Sequence, residues 1–243
     1  MLRMLHLLIL GLAFAPFCAA QVLRVCIDDQ PFPPLTFPDR EGQVQYLIRQ
    51  AASQQGWAVE FLSVPRRRCH AGVASGQYHA AAPVSATTGV LDNMILPELD
   101  GSPDAQRSFG VVRAVVFRVR GSQADWDGQR FSGLDKPVLY GSGVLAFKDR
   151  LEALKVPSDD SAKSLSQIMT LLVIGRGQIA VSTEYQTLAA LKEGGLEDRI
   201  EVLPVPFMQG AVFLGVGRGF YAANQQVIER IWTTIGELRA AKQ

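Results

Sequence analysis

The sequence predicts an α/β protein of two lobes joined by two extended crossings. Three observations carry this. Apolar runs of strand length alternate with amphipathic runs of helix length, the pattern of βαβ units and a largely parallel sheet. The alternation occurs twice, over residues 22–89 and again over residues 137–205. Two β-rich runs, residues 109–119 (FGVVRAVVFRV) and 211–216, flank the second series and are placed to carry the chain out and back. A chain of 243 residues, 48% hydrophobic and 19% charged, can bury a core in each of two lobes of about a hundred residues.

Residues 1–20 stand apart. Arg3, an apolar run over residues 5–14 and the small residues Cys18, Ala19 and Ala20 have the layout of a secretory signal peptide cleaved before Gln21. The apolar run is shorter than the roughly 20 residues a membrane span needs. Phe17 is not the small residue expected before a lipidated cysteine, so a soluble exported protein, periplasmic and monomeric, is expected. Cleavage removes Arg3 and no acid, leaving basic and acidic residues balanced, with no global charge to attract nucleic acid or a membrane surface. It also removes Cys18 and leaves Cys26 and Cys69, a disulfide pair in an oxidising compartment, the alternative being two buried thiols.

The elements follow in order. Residues 22–28 (VLRVCID) read as the first strand, stopped by the proline-rich stretch 30–34, where Phe32 and then Phe37 sit on a stiff loop. Residues 42–54 read as a helix with Val44, Leu47, Ile48 and Ala51 on one face, and residues 57–64 as the second strand. Pro65 and Arg66, Arg67 and Arg68 open a short helix with apolar positions Ala71, Val73 and Ala74. Residues 78–84, with His79 inside, read as the third strand, followed by Ser85, Thr87 and Thr88. Residues 91–107 read as a long surface loop. In the second series, a strand at 137–140 leads through Gly141, Ser142 and Gly143 into a helix at 144–154, a helix N-terminus suited to an anion. A helix at 164–175, a strand at 178–182, Glu184 and Tyr185 at its exit, a helix at 184–191 and a strand at 200–205 follow; an amphipathic helix at 224–241 closes the chain.

The ordered series resembles the extracellular solute-binding proteins of family 3, the amino-acid-binding type with the type II periplasmic-binding-protein fold. LRVCIDDQPFPPLTF (23–37) resembles the opening strand and aromatic-proline loop, and GQVQYLIRQAASQQGWAVEF (42–61) the first helix and second strand. GVASGQYHAAAPVSATT (72–88) resembles the second helix and third strand, and KPVLYGSG (136–143) the start of the second lobe. The resemblance implies two lobes, residues 21–112 with 211–243 and residues 113–210, closing on a small solute delivered to an ABC importer, as in amino acid transport. At the ligand edge of the sheet, the residues expected to meet the solute are Phe32 and Phe37 as an apolar wall, the hydroxyls of Ser85, Thr87 and Thr88, the amides of Gly141, Ser142 and Gly143, and Glu184 and Tyr185. Arg68-Cys69 and the loop DGSPD (100–104) resemble one subset of the superfamily.

Two departures matter. The family places an arginine just after the Ser/Thr turn, for the ligand carboxylate; here the stretch is Ser85-Ala86-Thr87-Thr88-Gly89-Val90. The family places an aspartate at the strand exit, for the ammonium; here Thr183, Glu184 and Tyr185 stand there, with Tyr185 nearest the aspartate's place. The expected ligand is therefore a polar or anionic solute held by at least one of Arg66, Arg67 and Arg68, whose guanidinium forks suit carboxylate or phosphate. No catalytic residue, metal site or cofactor is assigned: His70 and His79 lack ligand spacing. Three readings stay open: a transport binding protein, a binding subunit of a membrane sensor, and a dehydratase-like enzyme using Asp28, Asp29 and Glu184.

Overall fold

The computed structural model describes residues 21–241; the leader peptide expected over residues 1–20 lies outside them. The strands are β1 (Val22–Asp28), β2 (Ala58–Val64), β3 (Ala80–Ser85), β4 (Met94–Ile95), β5 (Glu98–Leu99), β6 (Ser102–Pro103), β7 (Gly110–Val119), β8 (Asp125–Trp126), β9 (Phe131–Ser132), β10 (Val138–Gly141), β11 (Ser158–Ala162), β12 (Ile179–Thr183) and β13 (Ile200–Gly217). The helices are α1 (Gln43–Ser53), α2 (Arg66–Ala74), α3 (Thr88–Leu91), α4 (Leu145–Ala153), α5 (Leu165–Val173), α6 (Glu184–Gly194) and α7 (Arg218–Ala240).

The main sheet runs β11-β10-β12-β7-β13-β3-β1-β2, with β4 on the end of β13. Its outer thirds are parallel, as βαβ crossovers require: β1 pairs with β2 and β3, and β10 with β11 and β12. The middle is antiparallel, because β7 and β13 lie side by side from Ile200 opposite Val119 to Val212 opposite Gly110. The runs read as separate strands at 200–205 and 211–216 are one 18-residue strand, bent by register shifts between Val202 and Pro206 and between Pro206 and Met208. Proline lacks the ladder donor and residues there slip register, so the strand bends where it passes between lobes.

Four cores cover the two ends of this sheet. On the β1–β3 side, α1 and α7 bury Ile48, Ile231, Trp232 and Leu214 against one face, and α2 buries Cys69 and Val73 with Cys26 and Phe213 on the other. On the β10–β12 side, Val116, Phe147, Phe207 and Trp126 form one core, and Val115, Phe117, Ile168 and Leu172 the other. Val115 and Val116 fall in different cores because successive strand residues face opposite ways. Each fully buried side chain of this size contributes about 1.5–3 kcal/mol. Among the described residues, no helix is long and apolar enough to cross a membrane.

Several elements differ from the sequence reading. Residues 91–107 are ordered by short pieces, including β4 on β13 and a β5–β6 hairpin, rather than one loop. β11, sequence SDDSA, is an edge strand with no apolar alternation to announce it. α2 buries Cys69, Gly72 and Val73, while Ala71 and Ala74 are exposed. His79 lies just before β3; its Nδ1 accepts the Arg24 amide at 3.1 Å and its ring stacks on Phe220 with centroids 4.0 Å apart. α7 starts at Arg218, and the non-helical φ/ψ at Asn224 interrupts it where the sequence pattern begins.

Candidate functional site

The C-terminal ends of β1, β2 and β3 face those of β10 and β12 across the bend in β7 and β13, the edge where open α/β sheets bind ligands. A cavity of about 450 Å³ lies there, within the range of small-molecule sites. Its upper wall comes from Phe32, Thr36, Ser85 and Thr87, its lower wall from Val144, Leu145, Phe147, Lys163, Leu165 and Ile168. Met208, Gln209 and Gly210 of β13 line it along the bend.

The proline-rich loop is placed by Gln45. This buried side chain accepts the Gly42 and Phe37 amides at 2.9 and 3.0 Å and donates to the Phe37 carbonyl at 3.1 Å. Gly42 is needed because a Cβ there would sit 2.3 Å from the Leu35 carbonyl oxygen. The Phe32 amide then donates to the Thr36 carbonyl at 2.8 Å, and the Thr36 amide to the Phe32 carbonyl at 3.0 Å. Thr36 is thereby held at 1% exposure in the cavity wall, with no partner for its hydroxyl among the described residues. The buried Thr87 hydroxyl is likewise unpartnered.

Cys26 on β1 is joined to Cys69 in the first turn of α2. The bridge fixes the start of α2 against the end of β1, where Asp28 closes the strand. Arg66 pairs there with the Asp28 carboxylate and donates to the Ser142 carbonyl at 3.1 Å, tying the two sides of the cleft. Burial pushes the Asp28 carboxyl above its usual range, against the pull of the Arg66 cation. His70 lines the same wall; burial, with help from Arg66, pushes it down to about 4, so it is neutral at pH 7. Arg67 pairs with Asp160 of β11, and its Nε donates to the Ser142 hydroxyl at 3.1 Å. Arg68 is exposed and outside the cavity.

The Gly141, Ser142, Gly143 turn leads into α4 as the sequence suggests, but its amides are spoken for. Ser142 donates to the Ala162 carbonyl at 2.8 Å, Val144 to the Gly141 carbonyl at 3.2 Å, and Gly143 to the Asp160 carboxylate at 3.4 Å. An internal carboxylate therefore stands where an anion was expected. Gly141 and Gly143 line the cavity, and Ser142 turns towards Arg66 and Arg67.

The other sequence-selected residues divide. Phe32, Arg66, Ser85 and Thr87 line the cavity; Phe37, Arg67, Arg68, Thr88, Glu184 and Tyr185 do not. Phe37 packs under the Arg40 guanidinium, 3.8 Å from its ring centroid. Glu184 faces Arg113 on β7 at 3.5 Å, and Tyr185 is 57% exposed. At that strand exit it is Thr183 and Gln186 that line the cavity; the Thr183 hydroxyl donates to Gln186 Oε1 at 2.7 Å, and Gln186 Nε2 donates across the cleft to the Pro31 carbonyl at 2.9 Å. Sequence reasoning passed over Thr36, Lys163 and Gln186, and weighed His70 only as a metal or catalytic residue. A helix-period reading from Glu184, which puts Gln186 on another face from Tyr185, would have flagged Gln186; nothing local marks Thr36 or Lys163.

No family model matches the chain, and no curated protein matches it. Solved structures do. A histidine kinase sensor domain with similarity to periplasmic binding proteins is 16% identical with a TM-score of 0.71, over 92% of this chain and 92% of that one. The GluR0 ligand-binding core from Nostoc punctiforme, in complex with L-glutamate, is 13% identical with a TM-score of 0.67, over 89% and 93%. An amino acid ABC transporter substrate-binding protein, AbpA from Streptococcus pneumoniae, bound to L-arginine, is 15% identical with a TM-score of 0.65, over 91% and 90%.

Proposed function

With the two-lobed periplasmic-binding-protein fold as premise, we propose that this chain is an exported solute-binding protein. Its lobes, residues 21–112 with 211–243 and residues 113–210, close over a small polar or anionic solute, with residues 111–114 and 209–212 as the hinge. The observation that carries the reading is the cavity of about 450 Å³ between two separately cored sides, at the strand ends where Ser85, Thr87 and Thr183 line it. Contacts that span the cleft, Arg66 to Ser142 and Gln186 to Pro31, would hold the closed form around its cargo.

The loaded form would be presented to an ABC importer in the periplasm, a reading supported by the likeness to the amino acid ABC transporter substrate-binding protein of Streptococcus pneumoniae. The likeness to a histidine kinase sensor domain favours a second reading, in which the closed form reports to a membrane sensor. Binding without turnover is the proposal in both. Native mass spectrometry of gently purified protein tests it: a small molecule carried at one per chain, released unchanged on denaturation, is expected. A product differing from the added solute would move the reading to an enzyme. Labelled-solute uptake by cells lacking the protein then separates transport from sensing.

A further inference from the structure

The cavity holds two cationic side chains among the described residues, Arg66 and Lys163, and they are not equivalent. Arg66 is committed to Asp28 and to the Ser142 carbonyl. Lys163 lines the cavity from the turn before α5, and its ammonium has no carboxylate partner among the described residues. Around it the chain builds a reciprocal cap: the Ser164 hydroxyl accepts the Gln167 amide at 3.2 Å, and Gln167 Oε1 accepts the Lys163 amide at 2.9 Å. This leaves the Leu165 and Ser166 amides of α5 without an acceptor among the described residues, at the positive end of a nine-residue helix whose Ser164 cap and Leu165 line the cavity.

A further observation points to what this end receives. The only carboxylate lining the cavity among the described residues is Asp28, already engaged by Arg66. An ammonium group brought into the cleft would find no free anion, and a buried unpaired charge is expensive. The remaining wall is largely apolar, with Phe32, Val84, Phe147, Leu165, Ile168 and Phe213.

We propose that the solute is a small organic acid with an apolar body and no ammonium, its carboxylate seated on Lys163 and the first amides of α5. A 2-hydroxy or 2-oxo acid is the simplest solute of this kind. This rests on the reading of the cleft as a solute site. Lys163, not Arg67 or Arg68, supplies the discriminating charge.

The test is thermal shift and calorimetry on two matched series, each sharing one skeleton. The aliphatic series is 2-hydroxy-4-methylpentanoate, 4-methyl-2-oxopentanoate, L-leucine and 3-methylbutylamine; the aromatic series is the phenyl counterparts; inorganic phosphate is the control. The hydroxy or oxo acid of at least one series is expected to raise the melting temperature, with the amino acid at least about tenfold weaker and the amine and phosphate inert. Lys163→Met is expected to weaken the acid about tenfold or more, Lys163→Arg to restore most of it, and Arg68→Ala to leave it unchanged. Tighter binding of the amino acid, the amine or phosphate, or a Lys163→Met protein that binds like the parent, overturns the proposal while leaving the solute site standing. No shift with any compound of either series overturns the solute site itself, and this proposal with it.

Discussion

Removing the Cys26–Cys69 bridge should cost more stability than any single surface change in this protein. The two cysteines are 43 residues apart, and both are buried, Cys26 completely and Cys69 at 4% exposure. In the chain-entropy treatment, closing a loop of that length restricts the unfolded chain by about 4 kcal/mol at 25 °C. The loop contains α1, β2 and the start of α2, so it spans most of the first βαβ unit. For a protein of this size a loss of that order lowers the melting temperature by about 10 °C. The Cys26→Ala/Cys69→Ala double variant, exported to an oxidising compartment, should be compared with the parent by urea denaturation and calorimetry. A second readout follows from geometry: the bridge fixes the start of α2, so loss of the Arg66 contact to Ser142 should also weaken solute binding. A change below about 1 kcal/mol would refute the loop-closure reasoning. Alkylation of two thiols in denatured, unreduced parent protein would refute the bridge itself.

His70 is held neutral down to about pH 4 in the folded protein against 6.5 when unfolded, so its contribution is full above pH 6.5 and lost as pH falls towards 4; the loss is about 3 kcal/mol, and His70→Asn should flatten that part of the stability-pH curve measured by urea titration. Arg66→Ala leaves the Asp28 carboxylate buried without its cation and should cost about 2–4 kcal/mol in chemical denaturation, whereas Arg68→Ala should stay within about 0.5 kcal/mol. Gly143→Ala should cost about 1–2 kcal/mol, because φ is +74° and the new Cβ would lie 2.9 Å from Arg67 Cγ; thermal melting of the variant checks it. Small-angle scattering should give a smaller radius of gyration at solute saturation, and an unchanged profile would count against hinge closure at residues 111–114 and 209–212.

Much of the fold is a matter of local pattern. α1 was legible because Val44, Leu47, Ile48 and Ala51 repeat at helical spacing, and all four are buried, together with Gln45 and Ala52. β1, β3, β10 and β12 were legible as short apolar runs with turn residues at their exits, and two strand-helix series are enough to place a ligand edge. The cysteine pair was legible because only two cysteines follow residues 1–20, the stretch expected to be a leader. β11 was not, because SDDSA at a sheet edge buries only Ala162 and shows no apolar alternation.

The site was decided by tertiary structure. A cluster of three arginines looks like an anion grip in sequence, but charge is settled by what folds beside it: Asp28 takes Arg66, and Asp160, 93 positions from Arg67, takes Arg67. The same Asp160 takes up the Gly143 amide of the turn that looked like a phosphate loop. Thr36 and Lys163 carry no local signal, since a threonine after a proline-rich turn and a lysine before a helix are ordinary; they matter because the bend shared by β7 and β13 brings their two lobes over one cavity. Periodicity records which face of an element is buried, and so the sequence determines the elements and the edge where they end. Pairing between side chains far apart in the chain depends on the folded distances, and so only the structure decides which donors at that edge are still free.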